Sequence, residues 1–382
     1  MARPRTYQNG YRREIMLLLH NVGALPRQTI KMLPWRTDMM LRKMRSLVKE
    51  GVLVNNKDIY IINIRDENKW YYEELPDGYK DYYEKYLAPN RKRVSGTEVE
   101  RDKITKDVEA YIMAYSSGLA SMMHEKKDIS SARNKIVRGD RGYYTSREIK
   151  ILSSKTEHSK YDGSRLNGCI IGESGMYPVY NIGSGALLWN KATEGKLKIF
   201  LTNIGRKLYV SKMDITTKII MYRNISALEH LLKNRREGNA KYLSVDFLYE
   251  YMLAIPFTDE GKILLDMISR EGWRERILSD FIPTEQQSRY KGVSVACDGI
   301  EETETGNCYI LLYCIPDINK LKLFSERANL ENDKSKFKVL CFEDQLPFIA
   351  KRLGNAAQIY SIDIKEYYKL FIQEYNNYMS QL

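Results

Sequence analysis

The chain has 382 residues, 43% apolar and 29% charged, with five cysteines and a net charge of +12. That length bounds it to two or three domains, each able to bury its own core, and no run of about 18 apolar residues is present to cross a bilayer. A basic N-terminus without a following apolar segment and cleavage site predicts no secretory signal, and cysteines lacking any CxxC pair read as reduced thiols of a cytoplasmic protein.

The positive charge is concentrated. Residues 1–65 hold 13 Lys and Arg against 4 Asp and Glu, a local balance of +9, whereas the other 317 residues hold 48 against 45. Most of the excess in one sixth of the chain points to a polyanion-binding module at the N-terminus, not to a generally basic surface.

In chain order, residues 1–10 (MARPRTYQNG) read as a flexible basic arm. A first helix is expected from Tyr11 to Asn21, with Ile15, Leu18, Leu19 and Val22 inward, and a second from Arg27 to Leu33 after a proline that a helix start tolerates. In "TDMMLRKMRSLVKEG" (37–51) Met40, Leu41, Met44, Leu47 and Val48 make one helical stripe, with Thr37 at the start and Gly51 in the left-handed position past the end. The opposite face then carries Arg42, Arg45, Ser46 and Lys49, flanked by Lys43. Two short apolar runs, Val52–Val54 and Ile59–Ile62, around a turn at Asn55-Asn56-Lys57 complete a hairpin. This is the order of a winged helix-turn-helix, whose third helix enters the major groove. Arg36, Thr37, Met39, Arg42, Lys43 and Ser46 are the expected contacts to bases and phosphates, with Asn56 and Lys57 as a wing on the backbone.

A tyrosine-rich connector and a long amphipathic helix from Thr97 to about His124 are expected within 66–142. Beyond it, α/β regions are expected over 143–283 and 284–382. Strand-like runs are "GCIIG", "YPVYNI", "KLKIFLTN", "KIIMYR" and "MLAIPFT", then "GVSVACDGI", "CYILLYCI", "FKVLCFE" and "AQIYSID". Helix-like stretches lie between them at 226–234, 259–270, 318–328 and 345–353, with a last helix from Lys365. Alternation on this scale predicts a mixed α/β fold.

Chemistry-bearing motifs are sparse. Four scattered histidines argue against a histidine-metal-tyrosine nickase, despite the pairs Tyr71-Tyr72, Tyr82-Tyr83, Tyr143-Tyr144 and Tyr367-Tyr368. The stretch "CDGIEETETGNCYILLYCIPD" (297–317) resembles a hairpin of the restriction-endonuclease type with Asp298 as its first magnesium ligand, but its second strand has neither acid nor lysine. Glu148 with Lys150 and Glu194 with Lys196 stand in E-x-K order and could complete a metal site with Asp162 or Asp298. No phosphate-binding GxxxxGK[ST] loop is present, so no nucleotide cofactor is expected, and magnesium only if the chain is a nuclease.

The segment 11–62, together with "CDGIEETETGNCYILLYCIPDINKLKLF" and "FKVLCFEDQLPFIAKRLGNAAQIYSIDI", resembles the replication-relaxation family of plasmids and integrative elements of Gram-positive bacteria. The resemblance implies a winged helix followed by a degenerate restriction-endonuclease-like region, and a DNA-binding role in the replication or mobilisation of a mobile genetic element. It implies double-stranded DNA as partner, with the α/β region serving dimerisation or contacts to replication or conjugation proteins. Two alternatives stay open: a magnesium-dependent nickase using Asp298, and a winged-helix transcriptional regulator whose α/β region senses a ligand.

Overall fold

The computed structural model describes residues 11–63, 97–129, 134–137, 139–152, 164–173, 175–184, 189–209, 216–232, 242–243, 249–287, 295–304 and 306–380. The expected basic arm, the connector over 66–96 and Asp162 lie outside them. The fold is mixed α/β with several sheets, in two compact units, Met1–Asn181 with Ala192–Ile215 and Ile182–Lys191 with Thr216–Leu382.

The first unit begins with α1 (Arg12–Val22), whose residues Ile15 to Asn21 are all buried. A two-residue strand β1 (Leu25–Pro26) leads into a 3-10 helix, Arg27–Met32, where an α-helix was expected. The Thr29 hydroxyl donates to Pro26 O at 2.8 Å inside this turn, satisfying a carbonyl at three-residue spacing and favouring the tighter winding. Then α2 (Thr37–Lys49) buries Met40, Met44 and Leu47. Gly51, at φ 74, ends it as expected. The Val52 N–H donates to Leu47 O at 2.9 Å and the Gly51 N–H to Val48 O at 3.1 Å, the paired bonds of a left-handed glycine cap.

The hairpin is β2 (Leu53–Asn56) and β3 (Ile59–Ile62), and β3 also pairs with β1, so the sheet order is β1-β3-β2. Its turn is not at Asn55-Asn56-Lys57. Asn56 stands opposite Ile59 in the ladder, and the two turn residues are Lys57 and Asp58, at φ 49 and 65. Burial of Ile59 sets that register over the better turn-forming asparagines.

Next, α3 (Glu98–Ser116) starts at Thr97, whose hydroxyl accepts from the Glu100 N–H at 3.3 Å. It lies against β1 and the 3-10 helix, with the Gln28 amide donating to Thr105 Oγ1 at 3.2 Å. The strands β4 (Gly142–Thr145), β5 (Gly168–Ile171) and β6 (Met176–Gly183) follow, with β5 antiparallel to both neighbours. A short helix, α4 (Ser146–Ile151), leaves β4 through a capping box of Thr145 and Glu148. The stretch "KLKIFLTN", expected as a strand, lies inside α5 (Lys191–Leu208). Leu197, Phe200, Leu201, Ile204 and Leu208 are buried at three- and four-residue spacing, so the helical period prevails over the local apolar run.

In the second unit β7 (Trp189–Asn190) pairs with β9 (Tyr242–Leu243), and β8 (Thr217–Tyr222) runs parallel to β10 (Tyr251–Pro256). Helices α6 (Ile225–Leu232), α7 (Asp259–Ile268) and α8 (Trp273–Phe281) accompany them. A four-stranded sheet then forms in the order β11 (Gly299–Thr303), β12 (Gly306–Leu312), β13 (Phe337–Phe342), β14 (Gln358–Ile362). The first pair is antiparallel and the other two parallel, with α9 (Ile318–Glu331) and α10 (Leu346–Leu353) as crossovers and α11 (Ile364–Ser380) last. Of the described part of "GVSVACDGI", residues 295–300, Gly299 and Ile300 are strand and 295–298 are irregular. All five cysteines are buried free thiols. No described helix is long and apolar enough to cross a membrane.

Candidate nucleic-acid interface

Helix α2 has two faces of opposite character, and the heptad-like spacing of its sequence sets both. Met40, Met44 and Leu47 are fully buried, while Arg36, Met39, Arg42, Arg45 and Lys49 are exposed. Thr37, Lys43 and Ser46 are half-buried on the flanks. Of the sequence-derived contact residues, Met39 and Arg42 lie on the outward surface with Arg45 and Lys49, Thr37, Lys43 and Ser46 stand at its edges, and Arg36 precedes the helix as its N-cap. Asn56 is half-buried at the end of β2, and Lys57 is exposed in the turn.

Sequence reasoning missed the acid in the middle of this surface. Asp38 sits in the first turn, and its Oδ2 accepts from Arg36 Nη2 at 3.3 Å and from Arg42 Nη2 at 3.5 Å. Slight desolvation at the helix end is outweighed by the Met39 N–H and the Arg36 guanidinium, which hold the Asp38 carboxyl below its ordinary range. The signal was in the sequence, as an aspartate four residues before an arginine on a helix. At the other end, Glu50 accepts from the Ser46 hydroxyl at 2.7 Å and pairs with Arg12 of α1 at 3.0 Å. The Ser46 bond, with Arg12 and Lys43, keeps Glu50 below the usual carboxylate range. Ser46 is thus tied to its own helix.

Beside α2 opens a cleft of about 720 Å³ lined by the 3-10 helix, the hairpin turn and the start of α3. Its charges are mixed: Arg27, Lys31, Lys57 and Arg101 face Asp58, Glu98 and Asp102. Arg27 already pairs with Asp58 at 3.4 Å.

No family model, curated protein or solved structure matches this chain. What it does has to be argued from its own side chains.

The acids proposed for metal chemistry are committed to structural partners. Asp298 is buried beside β11; its Oδ2 accepts from the Leu312 N–H at 2.9 Å and its Oδ1 pairs with Lys320 of α9. Asp317, also buried, caps α9 by accepting from the Asn319 N–H at 3.0 Å and also takes the Met252 N–H of β10 at 3.2 Å. Burial, opposed by Lys320, pushes the Asp317 carboxyl up to about 6. Burial also works against the Lys320 ammonium, but Asp298 and then Asp317 outweigh it and hold that lysine above its ordinary value. The result is a carboxylate-ammonium-carboxylate cluster in which Lys320 pairs with Asp298 and feels the charge of Asp317, and in which both Asp298 oxygens and Asp317 Oδ1 are engaged.

The E-x-K acids behave alike. Glu148 pairs with Lys126 at 2.7 Å, with side chains only 3% and 1% exposed, and accepts from the Thr145 N–H at 2.7 Å. Glu194 is buried and accepts the Tyr180 hydroxyl at 2.6 Å and the Arg165 N–H at 3.2 Å. Among the described residues no group of three or more His, Cys, Asp or Glu side chains is placed to hold a metal ion. Tyr143 and Tyr144 are buried, and Tyr367 and Tyr368 donate to Asp280 and Asp266, each at 2.6 Å.

Proposed function

We propose that residues 11–63 form a winged helix-turn-helix and that the chain is a sequence-directed double-stranded-DNA-binding protein. On this reading α2 lies in the major groove, with its N-terminal residues at base edges and Arg45 and Lys49 towards phosphates, and Lys57 of the turn meets the flanking backbone. The order helix, strand, 3-10 turn, helix, hairpin and the sheet order β1-β3-β2 support the fold assignment. One observation carries the function: three cationic side chains, Arg42, Arg45 and Lys49, stand exposed on the side of α2 opposite the buried Met40, Met44 and Leu47. Cations gathered this way displace the condensed counterions of a duplex, and this entropy gain supplies affinity.

The biological setting proposed is the replication or mobilisation of a bacterial mobile element, as the resemblance to the replication-relaxation family implies. The second unit then serves assembly or partner contacts, a reading that fits the engagement of Asp298 and Asp317 in bonds within that unit.

The test is a salt titration of duplex binding by the full chain and by an Arg42→Ala, Arg45→Ala double variant. The slope of log K against log salt should become shallower by about 0.9 for each phosphate that the variant leaves unneutralised, so by one to two in all. An unchanged slope, or no duplex binding by the natural chain at low salt, overturns the proposal.

A further inference from the structure

We infer that Asp38 is a specificity-determining residue: it requires an exocyclic amino group, cytosine N4 or adenine N6, on one defined strand at the base pair met by the start of α2. The inference rests on the DNA-binding reading above and adds to it what the surface selects.

Asp38 is the acid at the centre of the outward face, between Arg36 and Arg42, in the turn that a groove-bound helix presents to base edges. For binding any duplex without discrimination, a carboxylate there is a liability. It lowers the local positive charge and faces a polyanion. The two arginine bonds that compensate it are weak. Both converge on a single oxygen at 3.3 and 3.5 Å, with Arg36 and Arg42 71% and 77% exposed and Asp38 48% exposed. Exposed pairs of this kind are worth little and exchange readily.

Phosphates and guanine edges compete for both guanidiniums once a duplex arrives. Asp38 then faces the groove without them. A carboxylate only accepts, and the donors on the major-groove floor are the amino groups of cytosine and adenine; guanine and thymine edges offer acceptors alone. Every base pair carries one such amino group, so Asp38 reads which strand presents it. Where guanine or thymine stands on the strand it meets, a desolvated anion confronts acceptor atoms, and the site is rejected. This is selection by a repulsive element, which lowers affinity for wrong sites more than it raises affinity for the right one.

The experiment is selection from a randomised duplex library with the full chain, its Asp38→Ala variant and its Asp38→Asn variant, followed by binding to an unselected duplex at one fixed salt concentration. For the natural chain one position should be restricted to cytosine or adenine. In Asp38→Ala that position should become degenerate, while binding to the unselected duplex tightens by roughly threefold to tenfold as one negative charge leaves the face. In Asp38→Asn it should shift towards adenine, whose N6 and N7 pair with an amide. A role limited to stabilising the helix start lowers affinity for all duplexes alike and leaves the preference intact, and that outcome overturns the inference. So does a natural chain that binds duplexes without preference at any position. A natural chain that binds no duplex overturns both this inference and the reading on which it rests.

Discussion

The outward face of α2 and the Asp298–Lys320–Asp317 chain both juxtapose acids and bases, and they differ in how strongly each group is held. On α2 the pairs are exposed, at 3.3 Å and beyond, and Arg45 and Lys49 stand on the surface beside them. Around Asp298 both carboxylates are buried with Lys320 half-buried between them, and each carboxylate also accepts a backbone N–H. A ligand can take over a loose exposed pair at little cost, whereas opening the buried chain leaves a desolvated charge behind. The same residue types are therefore loosely held and open to a ligand in one region and fixed as scaffold in the other.

The strongest break of this contrast is at Lys126, whose side chain is almost wholly buried. It pairs with Glu148 and donates to the Tyr143 carbonyl at 2.9 Å, and burial depresses its pKa despite Glu148. Lys126→Ala removes this buried ammonium from Glu148 and from the Tyr143 carbonyl and should cost about 3–5 kcal/mol, read as a lower urea midpoint with an unchanged slope. A loss below about 1 kcal/mol would show that this region tolerates an open charge and would remove the basis of the comparison.

Asp298 sharpens it. Asp298→Ala deprives Lys320 and the Leu312 N–H of a partner together and should destabilise by about 2–4 kcal/mol in the same assay. Arg42→Ala, on the other side of the comparison, should stay within about 0.5 kcal/mol. A stable Asp298→Ala chain that had lost a magnesium-dependent nicking of supercoiled plasmid would instead make Asp298 a working residue.

What could be read in the sequence follows the range of the forces involved. The helical stripe and the glycine cap at Gly51 depend on helical period and on one backbone angle, both local: Met40, Met44 and Leu47 of the expected stripe are buried, Leu41 and Val48 only half-buried, and the cap is where it was expected. The 3-10 winding of Arg27–Met32 turns on one side-chain bond that competes with a helix, and the helix-turn spacing alone does not reveal it. In α5 the three-residue apolar run Ile199, Phe200, Leu201 imitates a strand, and only the wider window from Leu197 to Leu208 shows the helical period. The buried partners Lys126 and Lys320 are 22 residues in sequence from Glu148 and Asp298, and tertiary packing alone brings them together. Asp38 is the opposite case: it was legible as an i,i+4 partner of Arg42, but the basic count around it masked a single acid.

A buried acid with no cation to hold it gives the contrast a dependence on pH. Asp344, after β13, is partly buried, and its Oδ1 has no hydrogen-bond partner among the described residues. Burial and then the neighbouring Glu260 push its carboxyl from 3.8 up to about 6. The unfolded chain therefore releases this proton near pH 4, and the folded chain holds it until about pH 6. Stability from this group is present below about pH 4 and lost as the pH rises through that window. Asp344→Asn removes the loss. Since the group is partly exposed, solvent screening reduces the gain to about 1 kcal/mol at about pH 7, with none at about pH 4. A variant whose advantage does not grow between those pH values would sink the assignment.

A small effect is expected in the hairpin, and it tests whether the proposed recognition module carries strain in its turn. Lys57 and Asp58 both adopt left-handed backbone angles, where a side chain is disfavoured and Asn-Gly is the preferred pair. Replacing them by Asn and Gly relieves that strain but removes the exposed Arg27–Asp58 pair, which is worth a few tenths of a kcal/mol. The balance should be a gain of about 0.5–1 kcal/mol. In the proposed interface Lys57 is the cation at the flanking backbone, so on that proposal the same variant should bind duplex with a salt slope shallower by about 0.9. Greater stability with an unaltered slope would place the turn outside the interface and confine recognition to α2.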